Sequence, residues 1–392
     1  MLSGCSLAPT LQGESGAREQ AVLAESLLPR LHYGWSELHA FREGRFKYIE
    51  APRPELYDLE QDPHEQRNLV AAQPARAEAL RRALLERLGS ERAPPAAIDP
   101  NAASGELMES LGALGYVGVG ASPDSPDRGA DPKDKLEEYK LLNRLMREGL
   151  IALREKDASG AAQRFEQLLR RGVNSFEVHY YQGRALLALR RLPEAERQFA
   201  SAAERLPAYG PAYLALADCR LARGDLPGAR AALLLGIEQS ARDVRLRARL
   251  GAVALRLGKP TEAVKAYEGA LQLEPRDALL HVQLGEALRD AGRLEDAERE
   301  LERGLELEPA TASYWNALGM LQGTRGELAE AERSFRQALA RDTRNAQYAF
   351  NLGLALERQG RGPEAQQAFR QALDLDPTFA SAKQHLTRVR AN

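Results

Sequence analysis

Two cysteines, Cys5 and Cys219, are all that 392 residues contain. A pair so far apart reads as neither a disulfide framework nor a zinc site. Cys219 lies in an apolar helical stretch and is expected to be a small packed side chain. No apolar run reaches the ~18 residues that a membrane span requires. Charge of one sign is missing too: 54 basic residues stand against 56 acidic ones, for a net charge of −2. That balance, with both signs interspersed, argues against bulk binding to nucleic acid or to an anionic membrane. Catalytic signatures are equally scarce. There is no G-x-x-x-x-G-K-[ST] phosphate loop, and His64-Glu65-Gln66-Arg67-Asn68 opens like a zinc-binding H-E-x-x-H helix but ends in Asn, leaving one ligand. His32, His39, His179, His281 and His385 are scattered, with no local nucleophile or carboxylate partner. Residues 2–5, LSGC, look like a lipoprotein cleavage box, but the sequence before Cys5 holds neither the basic nor the apolar region of an export signal.

What is present is a period. Between residues 142 and 377 one pattern returns every 34 residues. A small residue recurs as Gly149, Gly183, Ala217, Gly251, Gly285, Gly319 and Gly353. Sixteen residues after each comes a bulky one: Phe165, Phe199, Leu233, Tyr267, Leu301, Phe335 or Phe369. Four residues before each of those stands an alanine, from Ala161 through Ala195, Ala229, Ala263, Ala297 and Ala331 to Ala365. Pro207, Pro275, Pro309 and Pro377 close four of the units. Two apolar stripes at helical spacing, split by polar turns such as RRLPEA or DAGRLEDA, predict two antiparallel helices per unit. The small residue and the alanine let the two axes approach, the bulky side chain is expected to fill the gap between neighbouring units, and the proline stops the second helix. No unit buries its own apolar face, so neighbours must stack.

At these positions the chain resembles the tetratricopeptide repeat (TPR) family, whose signature is a small residue, an alanine, an aromatic, a second alanine and a proline. Departures are Ala217 for Gly, Gly236 and Gly304 for the late alanine, and no closing proline in units one, three and six. The expected fold is mostly α: a solenoid of seven helix-turn-helix repeats over 136–379 and a more polar capping helix at 380–392. A small α+β segment precedes it at 1–90, and a Pro/Ala/Gly-rich linker at 91–135 carries a short apolar island at 107–119.

In the α+β segment, strands are expected at Tyr33–Phe41, Arg45–Ile49 and Glu55–Leu59, the first two joined at Glu43-Gly44. A helix is expected at about 74–89, with Leu80, Leu84, Leu85 and Leu88 on one side. A piece this small is expected to leave Trp35, Phe41, Phe46 and Tyr48 exposed unless a larger core covers them. Asp58 and Asp62 read as turn and strand-end residues. Ser6-Leu7-Ala8-Pro9, Gly44-Arg45-Phe46-Lys47-Tyr48-Ile49, Glu55-Leu56-Tyr57-Asp58-Leu59, Asp62-Pro63, Asn68-Leu69 and Leu114-Gly115-Tyr116 together resemble the C-terminal subdomain of sulfatases of the alkaline-phosphatase-like superfamily. That resemblance implies a formylglycine and a calcium ion in a catalytic half. Neither the C/S-x-P-x-R motif nor an acidic cluster occurs in this sequence, so no catalytic residue, metal ligand or cofactor site is carried over; calcium belongs only to a catalytic half lying before Met1.

Two functions follow as expectations. One is a non-catalytic scaffold that holds a peptide or partner protein in a concave groove. By TPR resemblance, the second, fifth, ninth and twelfth residues of each unit line that groove, among them Tyr180, Arg184, Glu286, Arg289, Asn316, Phe350 and Glu357. The other is the downstream part of a sulfatase–TPR fusion, a sulfuric ester hydrolase whose catalytic domain precedes Met1.

Overall fold

The computed structural model describes residues 21–26, 36–90 and 130–391. The apolar island, Trp35 and Cys5 lie outside the described residues. The chain forms two compact units, Met1–Ala212 and Tyr213–Asn392.

The first unit opens with an antiparallel sheet in the order β1 (Val22–Ser26), β2 (Leu38–Glu43), β3 (Phe46–Glu50), β4 (Glu55–Asp58). Strand β1 was not anticipated. The β2–β3 hairpin turns on Gly44-Arg45, with Gly44 at φ 55°, a left-handed conformation that costs glycine little. Register aligns Leu23, Phe41, Tyr48 and Leu56 as one row across all four strands. Helix α1 (Pro74–Ser90) lies over this row through Ala77, Leu80 and Leu84. Phe41, Phe46 and Tyr48 are therefore buried, contrary to expectation, because the segment supplies its own lid. Leu85, one residue off the i, i+4 row of Leu80, Leu84 and Leu88, turns to solvent at 45% exposure.

Residues of the sulfatase-like string between Gly44 and Leu69 have structural work within this sheet; Ser6–Pro9 and Leu114–Tyr116 lie outside the described residues. Asp58 accepts from the backbone N–H groups of Glu60 and Gln61 and pairs with Arg45. Asn68 accepts from the Leu56 and Val70 N–H groups and donates to the Pro54 carbonyl. Asp62 accepts from the Arg67 N–H. The end of the expected linker is also tied down: Ser36 N–H donates to the Ala130 carbonyl, and Lys133 reaches both Glu55 and the Arg53 carbonyl. A single 3-10 turn, Pro132–Lys135, then leads into the repeats.

Seven antiparallel helix pairs follow. In the first unit these are α2 (Leu136–Arg154) with α3 (Ala158–Arg170), and α4 (Phe176–Ala188) with α5 (Leu192–Arg205). The boundary between the units falls within α6 (Gly210–Ala222), which precedes α7 (Leu226–Gln239). The second unit continues with α8 (Val244–Arg256) and α9 (Pro260–Leu271), α10 (Ala278–Asp290) and α11 (Leu294–Leu307), and α12 (Ala312–Arg325) and α13 (Leu328–Arg341). It ends with α14 (Ala346–Arg358), α15 (Gly362–Leu375) and the closing helix α16 (Ala380–Ala391). Cys219 is fully buried.

The recurring glycine and ring belong to the same pair. A Cβ on Gly183 would lie 2.6 Å from the Phe199 ring, one on Gly251 2.5 Å from Tyr267, and one on Gly353 2.5 Å from Phe369. The bulky residue thus sits first on its own unit's glycine, a contact beyond the expected filling of the gap between neighbouring units. It does also reach onward, as where Phe165 stacks on Tyr181 of the next first helix at 5.8 Å between ring centres. Two departures from the repeat pattern pair by size. Gly236 lets Tyr213 in, its missing Cβ falling 2.7 Å from the Tyr213 Cβ, and Gly304 admits Val282 at 2.5 Å.

Each turn between paired helices places one residue at positive φ: glycine in five units, but Lys156 (φ 64°) and Arg190 (φ 60°) in the first two. A side chain there costs roughly 1–2 kcal/mol. Arg190→Gly is expected to raise stability by about 1 kcal/mol, whereas Gly183→Ala, seven residues earlier, lowers it by roughly 1–3 kcal/mol through overpacking despite its better helix propensity. Urea midpoints of the two variants check this; equal shifts of one sign overturn it.

Candidate binding face of the first helices

One face of each first helix carries its second, fifth, ninth and twelfth residues, all within about 60° of a line along the helix. In the first unit α4 presents Glu177, Tyr180, Arg184 and Leu187 there. Tyr180 is half-buried in an aromatic cluster, its ring centre 5.5 Å from Tyr181, 5.7 Å from Phe199 and 5.1 Å from Tyr209. Arg184 is exposed, and its guanidinium lies 5.9 Å from the ring centres of both Tyr180 and Tyr181, so these two expected site residues do meet.

Glu177 was not anticipated. It is 4% exposed, and neither carboxylate oxygen has a hydrogen-bond partner. Burial pushes its pKa up to about 7; the Ser175 hydroxyl and its own N–H pull the other way without forming a well-aligned bond. The available signal was its place as the second residue of a unit. Nothing in the sequence announced its burial. Gln182, buried on the same helix where five later units carry Leu216, Leu250, Leu284, Leu318 and Leu352, also has an unpartnered oxygen. It turns toward a recess between α3 and α5, away from the first-helix face.

In the second unit the first helices touch one another directly. Asp218 pairs with Arg249 at 3.2 Å, and the Asn351 amide donates to Asn316 at 2.8 Å. Glu286 and Arg289 share one stretch of α10. Burial raises the Glu286 pKa, with Arg289 opposing and Asp290 reinforcing the shift. Arg289 donates through Nε and Nη2 to Asp290, but its buried Nη1 has no acceptor. On α10 and α12, Leu279 is 52% and Met320 40% exposed. Both are apolar residues at face positions that the sequence reading had passed over.

Phe350 and Glu357 are placed differently. Phe350 is buried, packed at 4.9 Å on Phe379 and 5.7 Å on Phe369. Glu357 accepts from Arg388 at 2.8 Å and sits 2.8 Å from His385 Nδ1, both on α16. These two residues join the closing helix to the repeats. The seven expected residues therefore divide into Tyr180–Arg184, Glu286–Arg289, Asn316 bound to Asn351, and this capping pair.

Among the described residues no cluster of three metal-ligating side chains occurs, and no helix is long and apolar enough to cross a membrane. Family models for the tetratricopeptide repeat match residues 146–211, 182–244, 254–321 and 316–378, together more than half of the sequence. The chain belongs to the tetratricopeptide-repeat family. Similar solved structures include a TPR protein from Parabacteroides merdae, 13% identical, with a TM-score of 0.52 over 64% of this chain and 100% of that one. The C-terminal part of a TPR protein from Cytophaga hutchinsonii is 15% identical, with a TM-score of 0.50 over 61% and 98% of the two chains. The Cut9–Hcn1 structure of the APC/C is 20% identical with a TM-score of 0.46; the match covers 57% of this chain and 45% of that one, so this chain spans less than half its length. At these identities the likeness is one of fold. No curated protein matches the chain. The matched models begin at residue 146, and the sulfatase-like segment is matched by none of them.

The raised Glu177 pKa carries a signed consequence. A carboxyl harder to ionise in the folded than in the unfolded chain adds no penalty below its ordinary value of 4.5 and destabilises progressively up to about pH 7. Above that the full penalty, on the order of 3 kcal/mol, applies. Glu177→Gln is expected to raise stability by about that much near pH 8 and by little near pH 4.5. Paired urea titrations across this range check it; a gain independent of pH overturns it.

Proposed function

We propose that this TPR protein is a non-catalytic scaffold that binds a peptide or an extended segment of a partner protein along its first-helix face. One observation supports this above the others: on α10 and α12, Leu279 and Met320 stand open to solvent at second and ninth positions of their repeats, the positional set that also holds Glu286 and Arg289, whose Nη1 has no acceptor. Open apolar side chains and an incompletely paired charged group are what a peptide-binding surface offers. The apolar pair supplies burial, and Arg289 Nη1 supplies a donor for a carbonyl or carboxylate of the ligand. The near-neutral charge points to a ligand held by such local contacts and not by a general field.

Random peptides displayed on phage and selected on the intact chain test the reading. Selected peptides are expected to bind Leu279→Asp/Met320→Asp at least roughly tenfold more weakly. They should bind Leu234→Asp/Leu235→Asp, altered at the exposed leucines of α7, as well as they bind the parent. No enrichment, or equal loss in both variants, overturns the proposal.

A second reading makes the repeats the accessory module of a sulfatase–TPR fusion. What favours it is that the part of the string from Gly44 to Leu69 supplies β3, β4, the Asp58 turn and the Asn68 clasp. Terminal-peptide mass spectrometry of the native polypeptide is the check. A C/S-x-P-x-R segment upstream is the expected result, and a native terminus at Met1 excludes this reading.

A further inference from the structure

The outward side of α7 departs from the other repeats. Ala231, Ala232, Leu233, Leu234 and Leu235 follow one another along this helix, so the side away from the core must carry some of them. Ala232 and Leu233 are buried, while Leu234 is 39% and Leu235 47% exposed. Ala231, one turn earlier, is exposed with them. The equivalent pairs on α11, α13 and α15 are Glu302-Arg303, Arg336-Gln337 and Arg370-Gln371, all of them exposed. Three helices of the same fold thus keep charged or amide side chains where α7 keeps two leucines. Packing does not ask for leucine there, and an open apolar strip that packing does not require marks a contact surface.

The charges around the strip say what it meets. α7 carries only two, Arg230 and Glu238. Arg230 is engaged: it donates to Glu262 of α9 at 2.6 Å, which also sets α9 beside α7. Glu238 stands one turn beyond the leucines on their face. Lys265 stands on α9 at the place that Ala231 holds on α7. Among the described residues, no hydrogen bond or ion pair holds either Glu238 or Lys265, and both are exposed. The strip therefore has an unpaired acid at its C-terminal end and an unpaired base beside its N-terminal end. An antiparallel copy of the same strip reverses those ends. Leucine pair then covers leucine pair, and Glu238 of each chain comes to the end where Lys265 of the other stands. Such a contact is isologous and closes after two chains.

We infer that α7 is a dimer contact: a second copy of this chain packs antiparallel on Leu234 and Leu235, with Glu238 and Lys265 paired across the two-fold. The strip from Ala231 to Glu238 is about two turns long. That is less than the ~800 Å² per partner of a standard interface, so association depends on concentration. The contact uses second helices alone and does not rest on the peptide-binding reading.

Sedimentation velocity of the intact chain, from low micromolar to several hundred micromolar, is the test. The parent is expected to pass from monomer to dimer, and Leu234→Asp/Leu235→Asp to stay monomeric throughout. Glu238→Lys and Lys265→Glu should each weaken the dimer roughly threefold or more, since each removes two exposed pairs. The double exchange should restore it, because the pair is then only reversed. Circular dichroism checks that every variant is helical. A parent that stays monomeric, a dimer that survives Leu234→Asp/Leu235→Asp, or a double exchange that associates no better than its single parts overturns the inference.

Discussion

In six of the seven repeats a second-helix side chain packs directly on a first-helix glycine. At Gly183, Gly251 and Gly353 the ring occupies the space where a Cβ would be, so the pair of helices is held at a distance that only glycine permits. Everything on the first-helix face depends on that distance. With the ring seated, the helix packs one side against its partner and carries its second, fifth, ninth and twelfth residues on another, where the neighbouring elements decide which of them stay exposed. Protein interiors resist even one added methylene, so the contact positions the face without needing hydrogen bonds to do it.

Set against this economical packing are groups that packing alone does not explain. Glu177 is buried without a donor, Arg289 Nη1 without an acceptor, and Glu286 is half-buried with its ionisation opposed. All three lie on first helices, at second, ninth or twelfth positions of their repeats. Most core positions by contrast are filled by Ala, Leu, Val and Phe, although Gln182, buried away from this face, also keeps an unpartnered oxygen. In the second unit, Glu286 and Arg289 thus spend stability at the same repeat positions that expose Leu279 and Met320, which is the distribution expected where a ligand restores what folding leaves incomplete.

The repeat architecture could be read almost entirely from the sequence because a strict period makes each position testable seven times over. Gly149, Phe165 and their equivalents needed no structure to be placed on facing helices. The α+β segment was harder, since each strand occurs once. Residues 38–58 betrayed themselves by aromatic alternation, but β1, with its single row residue Leu23, carries too weak a pattern to stand out before its partner is known. The shielding of Phe41 and Tyr48 depended on α1 crossing this sheet, which no local pattern encodes. Tyr180 and Arg184 were found by position and do meet. Phe350 obeyed the same positional rule yet is buried, because Phe379 of the following loop is large enough to cover it. Burial depends on the neighbour, and so Glu177 escaped notice for the reason that Phe350 attracted it.

The matched sizes at Val282 and Gly304 bear on how such a protein can change its length. The bulky residue and the space made for it lie on the two helices of a single repeat. A duplication or deletion of a whole 34-residue block carries the match along intact. A genetic exchange whose breakpoint falls between α10 and α11 would set Val282 against an ordinary alanine and create a clash of its own. The lineage of this chain is therefore free to gain or lose repeats, but only in units cut at the outer turns.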